Sequence, residues 1–144
     1  MEQLKGTGIA LVTPFFDGAI DYDGLRNVIN HTIEGGVEYL VSLGTTGETP
    51  TLSKQEQKQV LEFTIKTVAG RVPIVAGFGG NNTAQIVEEI KNYDFKGVDF
   101  ILSSSPNYNK PTQEGIFQHY MAIAEVAPVP VIIYNVPGRT ARNI

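Results

Sequence analysis

Val131-Ile-Ile-Tyr-Asn-Val-Pro-Gly-Arg-Thr140 is the stretch on which the reading of this chain turns. A β-branched run leads into a tyrosine, a Pro-Gly turn follows, and an arginine comes next. Such a run reads as a buried strand. A tyrosine at the strand's C-terminal end, with a guanidinium in the turn beyond it, has the layout of a site opening after a parallel strand.

Four more apolar runs precede it: Gly8-Ile-Ala-Leu-Val12, Glu38-Tyr-Leu-Val-Ser42, Pro73-Ile-Val-Ala-Gly77 and Val98-Asp-Phe-Ile-Leu102. With Pro130-Val-Ile-Ile-Tyr134 they are mostly continuous rather than alternating, which predicts parallel strands buried on both faces. Helical periodicity fills the gaps. Leu25, Val28, Ile29, Thr32 and Ile33 share a stripe that ends at Gly35-Gly36. Ser53-Lys-Gln-Glu56 is a capping box opening a helix with Val60, Leu61, Ile65 and Val68 inward, stopping at Gly70. A third helix begins near Asn82-Thr83, buries Ile86, Val87 and Ile90, and ends by Gly97. A fourth follows Pro111-Thr112, buries Ile116, Tyr120 and Ile123, and ends before Pro128.

The order is β-α-β-α-β-α-β-α-β, with a strand start about every 30 residues, the length of a βα unit. No linker or low-complexity stretch divides residues 1–144, which read as one domain. Two architectures fit: a doubly wound open sheet, or part of a (β/α)8 barrel. A whole barrel takes about 250 residues, so this chain supplies roughly its first five strands and four helices.

Composition narrows the function. At 144 residues, 42% hydrophobic and 18% charged, the chain suits a soluble globular protein. A net charge of −4 argues against nucleic acid or an anionic membrane surface as partner. With no cysteine there is no disulfide and no thiolate chemistry. No run approaches a membrane span. The opening Met-Glu-Gln-Leu-Lys lacks a leader pattern, so a cytoplasmic location is expected.

The loops after the strands hold the candidate chemistry. Leu43-Gly-Thr-Thr-Gly-Glu-Thr49 lets backbone approach a ligand and offers hydroxyls to a carboxylate or phosphate oxygen; a plain strand-to-helix turn is the alternative. It is no P-loop, since no Lys-Ser or Lys-Thr follows the second glycine. Gly77-Phe-Gly-Gly-Asn-Asn-Thr83 is better read as helix capping by Asn82 than as a ligand loop. Ser103-Ser-Ser-Pro-Asn-Tyr-Asn-Lys-Pro-Thr112 is a surface turn by composition, although Tyr108 would relay a proton if a hydroxyl lay within reach. Tyr134 is expected to have a packed ring whose hydroxyl needs a partner. Arg139 is either a bidentate carboxylate binder or a solvated loop arginine. His31 and His119 read as surface or interface positions with a structural role. Glu48 reads as a residue favouring the N-terminal end of the second helix.

Together, Gly6-Thr-Gly-Ile-Ala-Leu-Val-Thr-Pro-Phe15, Gly44-Thr-Thr-Gly-Glu48, Tyr108-Asn-Lys-Pro111 and Tyr134-Asn-Val-Pro-Gly-Arg-Thr140 resemble the 4-hydroxy-tetrahydrodipicolinate synthase (dihydrodipicolinate synthase) family of class I pyruvate aldolases, over essentially the whole chain. The Thr-Thr pair and the arginine after Val-Pro-Gly favour this family over N-acetylneuraminate lyase. The resemblance implies a TIM barrel in which a strand-six lysine forms a Schiff base with pyruvate, which then condenses with aspartate semialdehyde in lysine and diaminopimelate biosynthesis. It implies that Thr45 and Thr46 hold the pyruvyl carboxylate, and that Tyr134, Thr45 and Tyr108 form a proton relay with Tyr134 as general acid–base. Tyr108 would come from the neighbouring subunit of a tight dimer within a homotetramer. Arg139 would bind the semialdehyde carboxylate. No cofactor or metal is implied beyond the covalent lysine–pyruvate adduct.

The chain departs from that pattern in two respects. The seven lysines lie on helix patterns, in loops or in the N-terminal segment, so the Schiff-base lysine is expected beyond Ile144 and the chain alone is expected to be inactive, with unpaired edges favouring self-association. Asn107 stands where lysine-sensitive relatives often carry a tyrosine, and Gln85 where an acidic residue is common, which implies weak or absent lysine feedback. Three readings follow: part of this synthase, part of another pyruvate-dependent aldolase such as N-acetylneuraminate lyase, or a non-enzymatic half-barrel used for assembly.

Overall fold

A computed structural model describes residues 4–144. The leader reading of the N-terminus begins in residues 1–3, outside the described residues. Backbone contacts cluster into two compact units, one ending at Ala76 and the other running from Gly77 to Ile144.

The first unit has a parallel three-stranded sheet. Strand β1 (Gly8–Ala10) pairs with β4 (Tyr39–Ser42), and β4 with β5 (Ile74–Gly77). Only β5 is buried on both faces, through Ile74, Val75 and Ala76; β4 alternates, with Leu40 and Ser42 buried. The expectation of two buried faces on every strand is therefore corrected: continuous apolar sequence did not mean continuous burial. A two-stranded ribbon of β2 (Phe15–Phe16) and β3 (Ala19–Ile20) was not foreseen. Its turn is Asp17-Gly18, both with positive φ (50° and 77°), the Asp-Gly pair that two-residue hairpins favour.

Helices α1 (Tyr22–Glu34) and α2 (Lys54–Val68) pack together in the same unit. Asp21 caps α1 by accepting from the Gly24 amide at 2.9 Å. At α2 the Ser53–Glu56 capping box forms as its sequence predicts, and Leu25, Ile29, Val60, Leu61 and Val68 are buried. The Tyr22 and Phe63 rings pack at a tilt with centres 4.9 Å apart, and Arg71 donates to Asn30 Oδ1 at 2.7 Å.

In the second unit, β6 (Phe100–Ser104) pairs parallel with β7 (Val131–Tyr134), with Ser104 opposite Tyr134. The expected strand 98–102 is thus displaced by two residues. A turn in which the Val98 amide donates to the Phe95 carbonyl occupies its start, so Ser103 and Ser104 join the strand. Helices α3 (Thr83–Asn92) and α4 (Gln113–Val126) pack on each other, burying Ile86, Ile90, Ile116, Tyr120 and Ile123. Asn82 caps α3, accepting from the Gln85 amide at 3.2 Å, and Thr112 caps α4, accepting from the Gly115 amide at 3.1 Å. Residues 137–140, expected as a turn, form the short helix α5 (Pro137–Thr140). Proline at its start already has the helical φ and lacks only an amide that would be unsatisfied there.

Candidate active site

The loop after β4 is built around its own carbonyl groups. Thr49 Oγ1 donates to the Gly44 carbonyl at 2.9 Å, and Thr51 Oγ1 to the Glu48 carbonyl at 2.8 Å. Gln57 reaches back from α2 to the carbonyls of Thr49 and Leu52, at 3.1 and 3.0 Å. Leu43 and Glu48 both lie in the left-handed region, at φ 59° and 54°, and bracket Gly44–Gly47. That conformation is costly for residues with a side chain, and it persists only where surrounding bonds enforce it. Four threonines fall between residues 45 and 51. Thr49 and Thr51 spend their hydroxyls on the loop, whereas Thr45 and Thr46 are exposed and spend none among the described residues. Glu48 sits between two short 3-10 turns, five residues ahead of the α2 cap, so it does not serve the helix N-terminus as expected.

The loop after β6 carries Tyr108. Ser105 and Pro106 are buried, the Asn107 amide donates to Asn81 Oδ1 at 2.9 Å, and the Asn109 amide donates to the Asn107 carbonyl at 2.7 Å. Tyr108 stands at φ 65° with 90% of its surface exposed. A left-handed tyrosine projecting into solvent brings no packing to its own unit.

Tyr134 ends β7 and is 45% exposed, which corrects the expectation of a packed ring. Among the described residues β7 pairs only along its β6 side, so Ile133 is exposed as well. Arg139 lies on α5 rather than in a plain turn; it is exposed and makes no ion pair among the described residues.

Sequence reasoning mistook His119. It is buried, not at the surface, and its Nδ1 pairs with Thr83 Oγ1 at 2.8 Å. Burial pushes its imidazole below the usual range, with the Ser104 backbone pulling the other way. The partner lies 36 residues away, on another helix, so no local signal marks it. The adjacent Tyr120 hydroxyl donates to the Ser103 carbonyl at 3.1 Å, and burial pushes this phenol up to about 12. His31, by contrast, is exposed as read. No metal-binding group of histidine and carboxylate side chains occurs among the described residues, and no helix there is long and apolar enough to cross a membrane.

The family model of the Dihydrodipicolinate synthetase family matches residues 3–144. The chain belongs to that family. Its relatives include the 4-hydroxy-tetrahydrodipicolinate synthase of Flavobacterium psychrophilum, 54% identical across the whole chain and half of that protein. The synthase of Cytophaga hutchinsonii is also 54% identical, over the whole chain and 49% of its own length. Among solved structures, the chloride-inhibited dihydrodipicolinate synthase of Acinetobacter baumannii, complexed with pyruvate, superposes with a TM-score of 0.93 at 44% identity. It covers 98% of this chain and 49% of that one. The chain therefore spans about half the length of the family members it matches.

Proposed function

We propose that this chain supplies the early strands of a (β/α)8 barrel synthase that condenses pyruvate with aspartate semialdehyde through a Schiff base. The observation that carries the reading is the division of labour among the threonines after β4. Two build the loop, and two are left over at its surface with hydroxyls that spend no bond among the described residues. In this reading Thr45 and Thr46 take the pyruvyl carboxylate.

Tyr134 is the general acid–base, Thr45 passes its proton on, and Tyr108 completes the relay. A hydroxyl that both donates and accepts is what two phenols need to share a proton path. The exposure of Tyr108 agrees with its use by a neighbouring copy in a homotetramer built from dimers, working in the cytoplasm. Arg139, exposed and without an ion pair among the described residues, takes the semialdehyde carboxylate, where its fork suits bidentate binding. The Schiff-base lysine is not among the chain's seven, because none of these lies on a strand of the described residues. The full synthase escapes strong lysine feedback: Asn107 replaces an aromatic ring, and Gln85 is engaged with Glu89 at 2.9 Å.

The test joins residues 1–144 to the second half of the Flavobacterium psychrophilum synthase. Condensation of pyruvate with aspartate semialdehyde is expected from the joined protein. A folded product that cleaves N-acetylneuraminate instead would select the lyase reading, and a folded product inert toward both would favour an assembly role.

A further inference from the structure

One side chain from outside the β4 loop grips it where the two free threonines end. Thr13 lies beyond β1, is 5% exposed, and its Oγ1 donates to the Gly47 carbonyl at 2.7 Å. The two residues are 34 apart in sequence, so the bond ties separate segments of the first unit. The segment before it is held in line, since the Leu11 amide donates to the Val41 carbonyl at 2.9 Å. Gly47 is buried against this segment: a Cβ there would stand 3.1 Å from the Leu11 carbonyl oxygen and 3.3 Å from Thr13 Oγ1. Among the described residues, the other side-chain bonds to the loop's carbonyls come from Thr49 and Thr51 within it and from Gln57 on the helix that follows it. Thr13 is thus the side chain that, among these residues, ties the loop to the segment after β1.

We infer that Thr13 is a positioning residue for the pyruvate-binding loop: its hydroxyl fixes the Gly47 carbonyl and thereby sets the backbone turn that presents Thr45 and Thr46. The carboxylate role of those threonines rests on the function proposed above; the positioning itself does not. Without the bond, the Gly47 carbonyl is a buried acceptor with no partner, and the loop rotates to expose it to water. Leu43 and Glu48 then lose the constraint that keeps them left-handed.

The test uses the 144-residue chain, with Thr13→Val removing the hydroxyl at nearly constant shape and Thr13→Ser retaining it. Nuclear magnetic resonance spectra are recorded without ligand and during titration with sodium pyruvate. Without ligand, Thr13→Val is expected to shift the backbone resonances of Gly44–Glu48, while Thr13→Ser and all resonances of 77–144 stay at their wild-type positions. Unmoved Gly44–Glu48 resonances in Thr13→Val overturn the inference. With pyruvate, the wild type and Thr13→Ser respond at Thr45 and Thr46, and Thr13→Val binds about five- to tenfold more weakly, the loss expected for one neutral hydrogen bond. Equal pyruvate affinity in Thr13→Val also overturns it. If the wild type ignores pyruvate while the ligand-free shifts follow expectation, the carboxylate reading fails and the positioning role stands. Should Thr13→Val not fold, the wild type still decides. A Thr13 hydroxyl proton protected from exchange and close to Gly47 supports the inference; one exchanging at the solvent rate overturns it.

Discussion

His119 Nδ1 and Thr83 Oγ1 stand 2.8 Å apart, so the first turn of α3 is joined to the middle of α4 by a partly buried polar contact. The Tyr120 ring meets the imidazole edge to face with centres 5.3 Å apart, and burial favours the neutral form of the histidine.

This sets the sign of a pH dependence. A histidine held below its ordinary range binds fewer protons folded than unfolded, so its contribution is complete above about pH 6.5 and is lost as pH falls below that toward and through its lower folded value. Denaturant unfolding between pH 7.5 and 5 is expected to show stability declining toward acid. His119→Asn, which keeps a partner for Thr83 but cannot ionise there, should flatten that decline. An identical acid limb in the variant would place the titration elsewhere.

Ser53 closes the start of α2 with Glu56, accepting from the Glu56 amide and donating to its carboxylate. The Ser53 backbone amide, donating to Glu56 Oε2 at 2.8 Å, and after it the Ser53 hydroxyl hold the Glu56 carboxyl below its usual range, so the stabilisation these two bonds bring is present at neutral pH and fades as the carboxyl protonates. Ser53→Ala is expected to cost about 1 kcal/mol at pH 7, with Ser53→Thr close to wild type. Urea titration measures both.

In the protein joined to the second half of the Flavobacterium psychrophilum synthase, Tyr134→Phe removes the proposed acid–base hydroxyl and keeps the ring. A fall in kcat of roughly 10²–10⁴ is expected, with KM for pyruvate little changed. Arg139→Lys keeps the charge and loses the fork; it should raise KM for aspartate semialdehyde and leave that for pyruvate alone. Steady-state kinetics with each substrate varied in turn separates the two effects.

Borohydride reduction in the presence of pyruvate traps a Schiff base on its lysine. Lys54, Lys58 and Lys66 lie on α2, Lys91 on α3, and Lys5, Lys96 and Lys110 outside helices and strands. Mass spectrometry of the 144-residue chain is expected to show no stoichiometric adduct at any of them. A single modified lysine in this chain would overturn the assignment of its roles.

The sequence showed most of the element order because each helix carries its own punctuation. Ser53 and Asn82 cap the helices they were expected to cap, Thr112 caps the helix expected to start just after it, and the Gly35-Gly36 pair ends α1. These are local signals, readable within four residues. What escaped was either a weaker local signal or a distant contact. The Asp17-Gly18 hairpin was legible but too short to break the β-α rhythm. The burial of His119, the grip of Thr13 on Gly47 and the displacement of β6 depend on partners well separated in sequence or on backbone turns that composition does not reveal. The loop after β4 shows the same divide: its glycines and threonines mark it as unusual, but which threonines build the loop and which face outward emerges only from its hydrogen bonds.

Ser103 and Ser105 lie 0% and 1% exposed, and neither hydroxyl meets a protein partner among the described residues. Both seats are enclosed and hold a small side chain. Protein engineers looking for a sturdier scaffold thus have two interior positions at which to try alanine, without touching either threonine or tyrosine on which the chemistry would depend.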